Sequence, residues 1–455
     1  MNNLGCSREE IIGSLRVEDI VTATGGKVIH SNSHAFTGIS IDSRTIKEGE
    51  LFIALKGKRF DGHNFLNEAL QRGSGAIVNF YPTEPIKGKT IIYVKDTLCA
   101  LHGIARHMRL RKDIPVIGIT GSNGKTTTKE LIASVLSTRY RVLKNMGNLN
   151  NNIGLPLSLA RMNDEEIVVL EMGASALGEI KELCEISVPN YGVLTNISYA
   201  HLEGFKDLET IRKTKLELLD YVSVIIVNAD DPFMMEGISV KGFKGWLIRY
   251  GIKNYAEIYA TDIRLYEKGS AFKLQTGDNR FVEIHPKISG MFNIYNVLAA
   301  ASVGSLFNID LLDIKEAVDS FVGLPMRFEL KELDGIKVIN DVYNANPASM
   351  EEAIKELIRI RTGRTIAVLG DMLELGSYEE EAHRKLVRLM SEFPIDIFIA
   401  VGALMALAAS EFQGNVFKLQ SAVEAGRLLK DIWKKGDTVL IKGSRGMNME
   451  RVLEA

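Results

Sequence analysis

Pro115 to Leu136 reads PVIGITGSNGKTTTKELIASVL. Its β-branched apolar run, Val116 to Ile119, predicts a buried strand. Gly121-Ser122-Asn123-Gly124 then turns the chain, and Lys125-Thr126-Thr127-Thr128 follow. From Thr128 the apolar positions Leu131, Ile132, Val135 and Leu136 recur at helical spacing. Strand, glycine turn and helix in this order make a phosphate loop. Glycines let the backbone approach an anion and aim N–H groups at it, and the helix start adds its positive dipole end. Lys125 can reach terminal phosphates, and Thr126 can offer its hydroxyl to Mg²⁺. The spacing is G-x-x-G-K-T, counted from Gly121. The longer G-x-x-x-x-G-K-T form is absent, because Ile119 stands where its first glycine would fall.

Around this loop the chain has the composition of a soluble globular protein of several domains. It has 455 residues, of which 46% are hydrophobic and 25% charged. A net charge of -2 leaves no global basic field for nucleic acid and no polybasic membrane signal. Cys6, Cys99 and Cys184 are scattered and form no C-x-x-C, which suits a reducing cytosol rather than a disulfide framework. The start, MNNLGCSREE, lacks a basic region followed by an apolar core, so no signal peptide is expected. No apolar run is long enough to span a bilayer.

Downstream of the loop, strand and helix patterns alternate: a helix over 128–138, strand 141–143, a helix near 155–159, strand 167–170, helix 177–184, strand 191–195, helix 207–220, strand 224–227. That rhythm implies a parallel sheet with helices on both faces, and such sheets bind ligands beyond the carboxyl ends of their strands. Glu171, Thr195, Asn196, Asn228 and Asp230 fall there. Residues 256–286 look like an antiparallel insertion, followed by a helix over 294–307. Upstream, a helix is expected over Ile11 to Ile20, and two strands surround a polar turn between Gly38 and Gly57. A further helix and strand fill 59–78, and a basic amphipathic helix covers 101–111. The last third reads as a small doubly wound α/β domain, with strands at 337–341, 365–369, 396–401 and 438–441. Its helices are expected over 349–359, 379–392 and 403–412. It lacks a G-x-G-x-x-G dinucleotide fingerprint.

Glu171, closing the strand IVVLE, is a candidate Mg²⁺ ligand, because hard cations take carboxylate oxygen. Its plain alternative is a strand-end glutamate in solvent. His201 alone reads as a loop histidine. Lys215 sits among Leu216, Leu218 and Leu219, and a helix lysine normally points to water.

Strings in fixed order carry more. They are IDSRTIKEGELFIALKGKRFDGHNF, TGSNGKTTTKE, NMGNLNNNIGLPLSL, LEMGAS, TNISYAHLEGF, VNADDP, FNIYNVLAA, DVYNANPASM, GDMLELG and KGSRGMNMERV. Together they resemble the Mur ligases of bacterial peptidoglycan synthesis over essentially the whole chain. Within that family they look most like the member that adds D-alanyl-D-alanine to UDP-N-acetylmuramoyl-tripeptide. The D-N-P-R string of the relative that adds the third peptide residue is missing, and Asn344-Ala345-Asn346-Pro347 stands in its place.

The resemblance implies an α/β fold of three domains: an N-terminal α/β substrate domain (1–112), a central P-loop parallel-sheet ATPase domain (113–323) and a C-terminal Rossmann-like α/β domain (324–455). It implies that Gly121, Ser122, Asn123, Gly124, Lys125, Thr126 and Thr127 hold ATP, with Thr126 and Glu171 serving Mg²⁺. His201 and Lys215 match a second metal site in which the lysine is carbamylated. Asn293 and Asn296 match positions near the adenine, and Arg327 and Asp341 match ATP-facing ones. Ser43 and Arg44 would lie near the UDP-sugar, and Asn148, Asn151 and Asn152 near the substrate. The implied protein is a cytoplasmic, monomeric ligase that passes through an acyl phosphate, with small-molecule substrates and neither nucleic-acid nor membrane partners. Competing expectations are the tripeptide-forming Mur ligase, folylpolyglutamate synthetase, and a P-loop NTPase switch.

Overall fold

The computed structural model describes residues 15–57, 60–82 and 86–455. Its main sheets have five, nine and six strands. The chain divides into two compact units. One comprises Met1–Gly118, Tyr140–Gly173 and Glu179–Tyr191; the other comprises Ile119–Arg139, Ala174–Gly178 and Gly192–Ala455.

The first unit holds the five-stranded sheet, ordered Lys27–His30, Thr90–Tyr93, Gly75–Val78, Glu50–Ile53, Gly38–Ser40. The first pair is antiparallel and the rest are parallel. Gly38–Ser40 and Glu50–Ile53 therefore run side by side in one direction, and Asp42-Ser43-Arg44 begins the crossover loop at a carboxyl end. Phe52, Ala54, Leu66, Ala69, Ala76 and Val78 form the core beneath. The helix expected from Ile11 begins at Val17, because Leu15–Arg16 pair as a strand with Ala35–Phe36; residues 11–14 lie outside the described residues. The basic helix is longer than its apolar pattern, Thr97–Leu110, since Asp96 caps it by accepting from Leu98 N and Cys99 N, both at 2.8 Å. In the same unit Val142–Lys144 pairs in parallel with Ile167–Glu171.

In the second unit the phosphate-loop helix spans Lys125–Leu136 and starts three residues before its apolar periodicity does. Strands Val224–Asn228, Trp246–Gly251 and Ile258–Tyr266 are parallel neighbours. Gly269–Thr276 and Phe281–Ile284 then add antiparallel strands to that edge. The expected insertion is thus a continuation of the sheet. A short helix, Leu202–Phe205, comes first, and the expected helix over 207–220 follows as Leu208–Leu216 and a 3-10 turn at Glu217–Asp220. Lys206, at φ 72°, ends the first piece, and Asp207 caps the second through Thr210 N. Helices Pro232–Lys241 and Leu311–Ser320 were not legible in the sequence.

The last third forms a six-stranded sheet ordered Glu329–Leu333, Ile336–Asp341, Thr438–Lys442, Thr365–Gly370, Ile397–Val401, Asn415–Leu419. Only the first pair is antiparallel. Val338, Val368, Ile399, Val439 and Ile441 pack its core. Parallel order puts the carboxyl ends of the inner strands on one edge, where loops 342–346, 371–376 and 443–446 emerge.

Candidate active site

The phosphate loop is built from backbone demands. Gly121 has φ 146°, and a Cβ there would lie 2.0 Å from Thr195 Oγ1. Gly124 sits at φ 79° as the helix cap, and a Cβ there would meet Asn296 Oδ1 at 2.5 Å. Both positions require glycine. The 195–198 loop wraps the turn. Ser122 N donates to Asn196 O at 2.9 Å, and Asn123 N donates to Asn196 Oδ1 at 3.0 Å. Thr195 Oγ1 and Asn196 Nδ2 both donate to Asn123 O, at 2.6 and 3.0 Å. Ser122 Oγ donates to Ser198 O and accepts from Ser198 N, at 2.8 and 2.9 Å. Asp231 pins this loop by accepting from Ile197 N at 2.7 Å while capping its own helix at Met234 N, and burial pushes its carboxyl up.

Lys125 folds back over the loop and donates to Gly121 O at 2.8 Å and Ser122 O at 3.0 Å. Thr126 is nearly buried behind it. Asn293 and Asn296 are both buried on the neighbouring helix Met291–Leu306. Asn296 Nδ2 donates to Asn293 Oδ1, and Asn296 Oδ1 accepts from Thr128 Oγ1 at 3.1 Å. These amides brace the loop helix from behind.

Glu171 is not solvated: it is 3% exposed. Its Oε1 accepts from Asn150 Nδ2 at 2.7 Å, its N donates to Asn145 Oδ1, and its O accepts from Asn145 Nδ2. Oε2 is buried with no hydrogen-bond partner. A buried carboxylate oxygen left unmet is costly unless a cation completes it, so Glu171 fits a Mg²⁺ ligand.

Lys215 is likewise buried, at 3% exposure, rather than solvated. Its Nζ donates to Ala174 O at 3.4 Å and stands 5.4 Å from the centre of the Phe205 ring. His201, at φ 53°, starts the short helix Leu202–Phe205. Its Nδ1 lies 2.5 Å from Glu374 Oε2, and this hydrogen bond holds the Glu374 carboxyl below its usual range. Glu203 N also donates to Glu374 O at 3.0 Å. Among the described residues no group of three or more His, Cys, Asp or Glu side chains is arranged to hold a metal. His201 is engaged here by Glu374 of the last sheet's loop.

Asp341 accepts from Phe328 N at 3.0 Å and from the buried Lys442 at 2.6 Å. Arg327 stacks on Tyr343, 3.7 Å from the ring centre. In the first unit Ser43 is buried and donates to Glu68 Oε2 at 3.0 Å. Arg44 is exposed and chelates Asp42, whose carboxyl is lowered to about 2 by that bond. Asn151 Oδ1 accepts from Gly154 N and Ile153 N, and Asn152 O accepts from His102 Nε2. Asn148 O accepts from Asn150 N.

Three domain families match in order: the Mur ligase family catalytic domain over 35–109, the Mur ligase middle domain over 119–304, and the Mur ligase glutamate ligase domain over 326–445. A Bacillus subtilis protein named UDP-N-acetylmuramoyl-tripeptide--D-alanyl-D-alanine ligase is 36% identical over 92% of both chains.

The chain belongs to the Mur ligase family.

Among solved structures, MurF from Acinetobacter baumannii superposes with a TM-score of 0.90 at 30% identity, over 97% of this chain and 98% of that one. MurF from Thermotoga maritima, in complex with ADP, gives 0.81 at 31%, over 92% and 96%. This Mur ligase has the same three-domain fold. No helix among its described residues is long and apolar enough to cross a membrane. Sequence reasoning missed Asn145 and Asn150 as the holders of Glu171, Ser198 as a clasp on the loop, and Lys442 as the partner of Asp341. The NMGNLNNN run and the KGSRG string were the available signals.

Proposed function

We propose that this Mur ligase joins D-alanyl-D-alanine to UDP-N-acetylmuramoyl-tripeptide with ATP, as a monomer in the cytoplasm. The reading is carried by full-length likeness: relatives bearing that activity in their names align across all three domains. The domain limits proposed are 1–112, 113–323 and 324–455. A carboxylate of the tripeptide attacks the γ-phosphorus of ATP, giving an acyl phosphate and ADP. The amine of D-alanyl-D-alanine then attacks that carbonyl, and the tetrahedral intermediate expels phosphate.

The chain's own work is positioning and charge neutralisation. Lys125 leaves the carbonyls of Gly121 and Ser122 to meet phosphoryl oxygens. The start of its helix, directly after the glycine turn, adds a positive dipole end that favours phosphate. Thr126 and Glu171 would hold Mg²⁺, with Glu171 Oε2 the oxygen in want of a partner. Bound there, the ion supplies Lewis-acid charge neutralisation. Lys215, carbamylated by addition of CO₂ to its amine with loss of a proton, would serve a second ion once His201 is released from Glu374. Asn293 and Asn296 serve the nucleotide by bracing the loop; Arg327 and Asp341 shape the ATP-facing linker. Ser43, Arg44, Asn148, Asn151 and Asn152 serve the UDP-sugar peptide. The last domain keeps water from the acyl phosphate.

The test is direct. The enzyme is given ATP, Mg²⁺, D-alanyl-D-alanine and the lysine or diaminopimelate UDP-tripeptide, and the product is weighed by mass spectrometry. One ADP and one phosphate per new amide are expected. Steady ATP turnover without a carboxylate substrate, or addition of a single amino acid to a UDP-dipeptide, would overturn the reading.

A further inference from the structure

Asn346 does two jobs in the second unit. It caps the helix Pro347–Ile360 in a capping box: its Oδ1 accepts from Ser349 N at 2.9 Å, and its own N donates to Ser349 Oγ at 3.0 Å. Because a backbone N–H can only donate, this cap fixes which end of the amide is oxygen. The other end, Nδ2, must then point away as a donor. It meets Asn123 Oδ1, in the phosphate loop, at 2.7 Å. That bond fixes the Asn123 amide in turn, and Asn123 Nδ2 donates to Ser198 Oγ at 2.9 Å. Asn123 is also held through its N and O by Asn196. A chain of oriented amides thus runs from the first turn of a last-domain helix to the middle of the glycine turn and on to the loop that clasps it.

We propose that Asn346 is a positioning residue for phosphoryl transfer, holding Asn123, and through it the phosphate loop, in register with the last domain. A cap alone needs only the Oδ1 end; the second bond has no part in starting the helix. The activity arm of the test rests on the ligase reading, whereas its exchange arm does not.

Two variants separate the jobs. Serine caps helices as well as asparagine but is too short to reach Asn123, so Asn346→Ser keeps the cap and loses the bridge. Asn346→Ala loses both. In nucleotide-free enzyme, Asn346→Ser is expected to unfold at the wild-type temperature while the amides of Ser122 to Gly124 exchange with D₂O roughly five to ten times faster, the weight of one lost hydrogen bond. In the ligation assay its kcat is expected to fall by roughly the same factor, with KM for ATP changed less than about twofold. Asn346→Ala should show both effects and a lower unfolding temperature. If Asn346→Ser exchanges and turns over as wild type does, or exchanges faster at undiminished kcat, Asn346 is only a cap and the proposal fails. If wild-type enzyme forms no amide, the ligase reading fails, and the exchange result still judges the bridge.

Discussion

The phosphate loop and the Glu171 carboxylate prepare for charge in opposite ways. In the loop, the named polar groups of Ser122, Asn123 and Lys125 are engaged by the protein's own atoms. Glu171 has one oxygen held by Asn150 and the other buried without a partner. The loop must exchange bonds to take a phosphate, giving up two carbonyl contacts at Lys125 for stronger charge-assisted ones. The carboxylate gives up nothing to take a cation. A satisfied site gains rigidity and pays little in stability for waiting. An unmet one stores a penalty that only its ligand removes.

Lys125→Ala strikes the first kind of site. It removes the group that moves onto the phosphate and should lower ligation by about 10³-fold, from about 4 kcal/mol of lost charge stabilisation. Because Lys125 lies at a loop edge, where it donates to the carbonyls of Gly121 and Ser122, thermal unfolding should shift little. Near-normal turnover by folded protein would take the loop out of the mechanism.

Lys215→Ala tests whether a second parked lysine behaves alike. A merely packed lysine beside Phe205 and Ala174 O would, on removal, change stability more than rate. A carbamylated one would lose on the order of 100-fold in activity, a loss of the size seen when metal sites are disturbed. A short carboxylate such as acetate should then recover part of it. Full activity, or an intact mass showing no added CO₂ in active enzyme, goes against the modification.

Glu171→Gln sharpens the contrast from the other side. It removes a buried charge but keeps an oxygen for Asn150, so metal-free protein should be no less stable than wild type. Activity at saturating Mg²⁺ should fall roughly 10- to 100-fold, and half-saturation should move to higher Mg²⁺. A variant that is strongly destabilised without metal yet fully active would mean that the unmet oxygen is a structural feature.

Much of this was legible in the chain, and the exceptions have physical causes. The glycine turn announces itself, because two backbone positions admit only glycine. The helix start at Lys125 does not: its first turn is Lys-Thr-Thr-Thr, with no apolar signal, and the cap is a glycine. Asn415–Leu419 escaped because its exposed edge positions, Asn415, Phe417 and Lys418, do not follow a strand period. Glu171 was found by its place at a strand end, but its burial depends on Asn145 and Asn150, which approach from a different segment. A helix lysine's usual preference for water predicts Lys215 as solvated; Phe205, brought over it by the break at Lys206, decides otherwise.

His383 carries the smallest effect and the cleanest sign. It is fully buried on the helix Glu379–Met390, and both ring nitrogens are spent. Nε2 accepts from Met372 N at 2.9 Å, which leaves Nδ1 as the proton carrier, donating to Glu379 O at 2.6 Å. Asp371 stands 4.0 Å from Nε2, yet burial outweighs it and lowers the imidazole below its ordinary value of 6.5. The folded ring is therefore neutral where the unfolded ring begins to take a proton. As pH falls through 6.5 towards the lower folded value, the unfolded state binds more protons and stability is lost; above 6.5 the full contribution is present. Protonation also turns the Nε2 acceptor into a donor facing the Met372 N–H. This group belongs with the satisfied sites: its role is to hold the loop that carries Glu374. Denaturant unfolding followed from pH 7.5 to 5.5 should show a midpoint that drops in wild type and drops less in His383→Gln. The change in kcat from His383→Gln at pH 7.5 should stay within a few-fold, as for a lost supporting hydrogen bond. A His383→Gln enzyme whose midpoint keeps the whole wild-type pH dependence would place the titrating group elsewhere.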